Sequence, residues 1–181
     1  MAVFTITPET FGMVFYDTAQ ILNVIEPLAD QLGFGSDESI TLHINETTPL
    51  GRITVASSDP IVLHIEGGAF EDPRRPRNFG PTQTVDSLGR ALLRVIDRRS
   101  GGFADAPPDS ELTFAQTAAW DAYVMGRIER LGHKAQKQRR VYNFRNRHGF
   151  SDVADNAFNA LWNAESLTWS QLAALSEGAT A

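Results

Sequence analysis

Between Ser39 and Gly67 the spacing of apolar residues changes from 3.6 to 2, and this change limits the folds open to the chain more than any other feature. Ile40, Leu42 and Ile44 alternate with Thr41, His43 and Asn45. Ile53 and Val55 alternate with Arg52 and Thr54, and Ile61, Leu63 and Ile65 alternate with Val62, His64 and Glu66. Successive side chains of a strand point to opposite faces, so each run has an apolar side and a polar side. Thr48-Pro49 and Ser58-Asp59-Pro60 supply turn chemistry between the runs, and the simplest arrangement is a three-stranded antiparallel meander.

Helical spacing flanks this segment. Residues 3 to 6 read as a short strand. Thr7-Pro8-Glu9 then has the chemistry of a helix start, and Phe11, Val14, Phe15, Leu22, Ile25, Ala29 and Leu32 form one stripe that ends at Gly33 and Gly35. The Gly, Pro and Arg rich stretch from Gly67 to Thr82, with Arg74, Arg75 and Arg77, has no period and reads as a long loop. A helix is expected over about Val85 to Arg99, with Arg90, Arg94 and Arg98 largely on its outer side. A second, capped by Ser110, runs to Leu131 and stops at Gly132. Helical character continues to about Tyr142, a further helix starts at Phe150 and Ser151, and a last one is capped by Thr168. The fold class that follows is α+β: a small antiparallel sheet of about 3 to 4 strands packed by helices on one face, with a helical C-terminal half. A length of 181 residues suits one domain, residues 1–181, able to bury roughly 70% of its unfolded surface.

Charge divides the chain further. Residues 134 to 147 hold Lys134, Lys137, Arg139, Arg140, Arg145 and Arg147 and no acid. Removing those 6 from the 16 basic residues leaves 10 against 22 Asp and Glu, a balance of −12 for the rest. Residues 1 to 51 carry seven acids and neither Lys nor Arg. Tyr142, Phe144 and Phe150 are interleaved with Arg139, Arg140, Arg145, Arg147 and His148, the pairing of guanidinium and aromatic planes that suits protein interfaces and splayed nucleic-acid bases alike. An acidic chain with a pI near 5.2 favours a protein partner or a homo-oligomer over a polyanion. The absence of cysteine removes thiol catalysis and Cys-ligated metals. No basic residue precedes an early apolar run and no run is long enough to span a bilayer, so the expectation is a cytoplasmic protein that makes no membrane contact.

Two constellations point to chemistry of another kind. Leu42-His43-Ile44 and Leu63-His64-Ile65 place two imidazoles on the polar side of the sheet, and with Glu66 they form the candidate set for a metal or for proton transfer. In a meander their strands lie two spacings apart, about 9.6 Å, beyond easy reach of one ion. The helix Val85-Asp86-Ser87-Leu88-Gly89-Arg90-Ala91-Leu92 resembles in outline the His-Glu-x-x-His zinc helix of zincin metallopeptidases. Asp86, Ser87 and Arg90 stand where the two ligands and the general base would be. The resemblance implies a degenerate scaffold, because a protonated guanidinium offers zinc no lone pair. No phosphate-binding loop, dinucleotide fingerprint or nucleophile elbow is present. The leading expectation is a non-enzymatic binding or regulatory protein acting through residues 134–150, helped by Arg74, Arg75 and Arg77, with no cofactor. The alternative is a zincin-like or metal-dependent enzyme using His43, His64 and Glu66.

Overall fold

The computed structural model describes residues 1–180, in which a mixed four-stranded sheet is followed by a helical half. The chain divides into two units, Met1–Ile96 and Asp97–Ala181.

In the first unit the strand order is β1 (Val3–Thr7), β2 (Ser39–Asn45), β4 (Ile61–Glu66), β3 (Ile53–Ser58), with α1 (Thr18–Gln31) linking β1 to β2. Strands β1, β2 and β4 run parallel and only β3 is antiparallel. The expected meander is therefore corrected. The β1-α1-β2 segment is a βαβ unit, whose helical crossover returns the chain in the same direction. The hairpin turn at Asp59 and Pro60 then sets β3 on the outside of β4 and brings β4 against β2. The alternation itself holds: Ile40, Leu42, Ile44, Ile61, Leu63 and Ile65 are buried together with Ile21, Ile25, Leu28 and Ala29 of α1. Burying a side chain of this size contributes about 2 kcal/mol, so this apolar set fixes the register.

Helix α1 begins at Thr18, well after the expected start at Thr7-Pro8. Asp17 caps it through the Ala19 N–H. The preceding segment finds its hydrogen bonds elsewhere: the Glu46 carboxylate accepts from the N–H groups of Gly12 and Met13, and Phe15 N–H donates to the Arg77 carbonyl. Tyr16 is buried and donates to the Gly67 carbonyl at 2.6 Å, and its burial, with the charge of Glu71, pushes its hydroxyl pKa well up. Tertiary partners outbid the local helix signal. The expected loop 67–82 holds a 3₁₀ turn (Gly67–Phe70) and the short strands β5 (Glu71–Asp72) and β6 (Arg75–Phe79), before α2 (Pro81–Arg99) opens with Pro in its first position.

The second unit contains a 3₁₀ turn (Asp109–Glu111), α3 (Phe114–Arg130), α4 (Lys137–His148), α5 (Asp152–Asn163) and α6 (Trp169–Gly178). The expected Ser110 cap belongs to the 3₁₀ turn. Thr113 caps α3 instead, in a reciprocal box with Gln116, as Thr168 does for α6 with Gln171. Two donors are satisfied at once by each box, which outweighs a lone serine. Helix α4 continues six residues beyond Tyr142 because its later polar groups find partners on α3, α5 and α6. Helices α3 and α5 approach so closely at Gly126 that a Cβ there would run into the Trp162 carbonyl oxygen. Trp120, Trp162, Phe144 and Phe158 fill the interior.

Candidate functional site

The parallel pairing of β2 with β4 places His43 directly opposite His64. Their ring centroids are 5.5 Å apart and their planes meet at 75°. Both are exposed on the face opposite Leu42 and Leu63, as the alternation requires. The register extends across the whole sheet, since Thr7 pairs with His43 and Thr54 with His64. One row thus reads hydroxyl, imidazole, imidazole, hydroxyl. The next row pairs Asn45 with Glu66. Thr7, Pro8, His43, Asn45, His64 and Glu66 line an open recess of about 340 Å³ at the carboxyl ends of the three parallel strands. Open parallel sheets bind their ligands at this end.

The three-donor set of His43, His64 and Glu66 does not assemble, and no group of three or more His, Asp or Glu among the described residues is placed to hold a metal ion. Glu66 lies two residues beyond His64, about 6.6 Å along the strand, so its carboxylate belongs to the neighbouring row. Its Oε2 is shielded from solvent and takes no hydrogen bond.

On α2 the three positions of the zincin outline are built into the interior. Asp86 and Ser87 are buried, and Arg90 faces Asp86 with Nε at 3.6 Å from Oδ2. The Ser87 hydroxyl lies 2.8 Å from both the Ala69 and the Gln83 carbonyl oxygens. An ion pair and a hydroxyl held by main-chain acceptors occupy the positions that a metalloenzyme reserves for ligands and base. Arg94, expected on the outer side of α2, is buried as well. Arg98 is half-buried and binds Asp109 at 2.7 Å.

The basic and aromatic segment splits into an inner and an outer half. Inside, Arg140 is buried beside Asp121, with 3.9 Å between Nη1 and Oδ2. Arg145 grips Asp155 with two hydrogen bonds of 2.7 and 2.6 Å, which raise the pKa of the arginine and hold that of the carboxyl below its ordinary range. Phe144 is buried, and His148 stacks on it with centroids 3.8 Å apart. The His148 Nδ1 lies 3.0 Å from the Phe144 carbonyl and its Nε2 2.8 Å from Ser176 Oγ. This is the geometry of a serine–histidine pair, but both side chains are shut off from solvent and the contact is structural. Burial pushes the His148 pKa down, against a smaller upward pull from the Phe144 carbonyl.

Outside, Arg139, Tyr142, Asn143, Asn146 and Arg147 share the exposed side of α4, and Phe150 follows at its end. Tyr142 and Phe150 meet edge to face at 6.1 Å while remaining 62% and 66% exposed. The Arg147 guanidinium sits 4.7 Å above the ring of Phe114, itself 74% exposed. Phe114 could have been found in the sequence as an apolar residue at the first helical position, off the apolar stripe of α3. Arg74, Arg75 and Arg77 are exposed on the β5–β6 hairpin of the first unit, while the basic segment belongs to the second.

Among the described residues no helix is long and apolar enough to cross a membrane. Comparison of the chain with models of known protein families, with characterised proteins and with solved structures finds no match.

Proposed function

We propose that the helical unit is a non-catalytic binding module whose α4 face takes an acidic protein surface. The observation that supports this reading is the exposed row Arg139, Tyr142, Asn143, Asn146, Arg147 and Phe150, extended by Phe114. Tyr and Arg are enriched where interfaces gain most of their energy, since a rigid ring or guanidinium plane buries much area for little lost freedom. Rings held in water forgo about 25 cal/mol for every Å² that a partner would cover. No carboxylate pairs with Arg139 or Arg147 among the described residues. The two guanidinium groups give this face a positive charge. A polyanion is a poorer fit, because the chain as a whole carries −6 and would repel the phosphates beyond the contact.

The test is a titration of isotope-labelled protein with a synthetic Glu-rich peptide carrying one Leu or Phe. Amide shifts are expected at Tyr142, Asn143, Asn146 and Arg147, lost in the Arg139→Glu/Arg147→Glu variant and largely erased at about 0.5 M salt. Shifts that survive charge reversal, or that scatter over other elements, overturn the proposal. Submicromolar binding of single-stranded RNA to the same face would transfer it to nucleic acid.

A second reading draws on α2, which follows the sheet and carries the zincin outline. The first unit would then be a metal-less relative of that scaffold, its ligand positions filled by Asp86, Ser87 and Arg90. A zinc ion retained through dialysis and lost on replacing Asp86 would overturn it.

A further inference from the structure

We infer that His43 and His64 form a two-imidazole chelating site for one late divalent transition-metal ion, with copper(II) preferred over nickel and zinc. Two observations converge on it. The two side chains occupy opposed positions of neighbouring parallel strands, so the backbone ladder fixes their separation without either ring having to reach across another residue. The centroid distance of 5.5 Å fits chelation: a ring nitrogen about 2.0 Å from a metal puts each ring centre about 3.2 Å from it, allowing centres roughly 4.5 to 6.3 Å apart as the N–metal–N angle opens. The ladder therefore already holds the rings at a chelating distance, and the side-chain torsions have only to aim the nitrogens.

The surroundings suit a cation that keeps part of its hydration. The recess is open, so water can complete the coordination shell. Thr7 and Thr54 flank the imidazoles in the same row and offer hydroxyls to those waters. Glu66 lines the same recess one row away and adds a negative charge that favours a cation there. With two neutral nitrogen donors and no thiolate, the ligand set ranks ions by the Irving–Williams order, which favours copper(II). Calcium and magnesium, which take oxygen ligands, are excluded by the same donors.

The experiment titrates copper(II) chloride into the untagged 181-residue chain and reads stoichiometry by calorimetry and donor atoms by electron paramagnetic resonance. One equivalent should bind, with a spectrum of two imidazole nitrogens. His43→Gln or His64→Gln should each weaken the affinity by about tenfold or more. On the unaltered protein, substoichiometric copper should broaden the β2 and β4 resonances around His43 and His64 before those around His133 or the amino terminus. The inference is overturned if the double variant, shown by circular dichroism to be folded, binds copper as the parent does. It is equally overturned if broadening begins away from the sheet, or if the spectrum shows a single imidazole.

Discussion

The strands of the first unit and the helices of the second handle polar side chains differently. In the sheet unit, alternation sends every second residue of β2 and β4 to the outer face, so His43, His64 and Asn45 reach solvent and the apolar face needs no polar member. In the helical unit the polar groups are drawn inward. Asp97 is buried and binds both Trp120 Nε1 at 2.8 Å and the Arg127 guanidinium at 2.7 Å, Arg140 is buried beside Asp121, and His148 is buried against Ser176. A strand separates its two faces completely, whereas a helix packed among several neighbours leaves charged residues at the margins of its apolar stripe, where they must find partners. Identical residue types therefore mean different things on strands and on helices: exposed chemistry on the sheet, architecture where helices bury Asp86, Asp97, Arg140 or His148.

If that contrast is sound, the largest effect of a polar substitution should come from the helical unit. Asp97→Ala removes the acceptor shared by Trp120 and Arg127 and should lower the unfolding free energy by about 3 kcal/mol, measured by urea denaturation. A loss under about 1 kcal/mol would mean that water replaces the carboxylate, and the inward networks would not be architectural.

The next effect is one of pH. His148 is buried and its folded pKa lies below the ordinary 6.5, so the unfolded chain takes up the proton more readily. The stability due to the neutral ring is complete above about pH 6.5 and is lost progressively as pH falls from there towards the folded pKa. Unfolding free energies at pH 7.5, 6 and 5 should decline, and His148→Gln should remove that part of the decline. An unchanged profile in the variant would assign the acid sensitivity to other groups.

The smallest effect belongs to the sheet. His43→Thr/His64→Thr exchanges two exposed side chains for residues that favour strands, and the change in stability should stay within about 0.5 kcal/mol. A larger loss would show that the histidine pair supports the sheet, which would weaken the contrast.

Particular residues show what was legible. The strands at Ile40, Ile53 and Ile61, the stop at Gly132, the helix start near Ser151 and the cap Thr168 were readable because each rests on neighbours in the sequence. The shared face of His43 and His64 followed from alternation alone. Their adjacency did not, because strand order depends on which edges meet in space. The βαβ order of β1, α1 and β2 and the repeated Leu-His-Ile runs were the available hints. For residues 8 to 17 the local helix signal lost to Glu46, Gly67 and Arg77, contacts too distant in the chain for any periodicity to reveal.

By itself the sequence determined the alternating faces, the helical C-terminal half and the charge segregation, all properties of neighbours within a few residues. Only the tertiary structure decided that β2 and β4 lie side by side and that α4 hides Arg140, Phe144 and His148 while presenting Arg139, Tyr142 and Arg147. The reason is physical: period tells which side of an element is apolar, but the partner of a polar group is set by chain segments tens of residues away, whose approach no local pattern encodes.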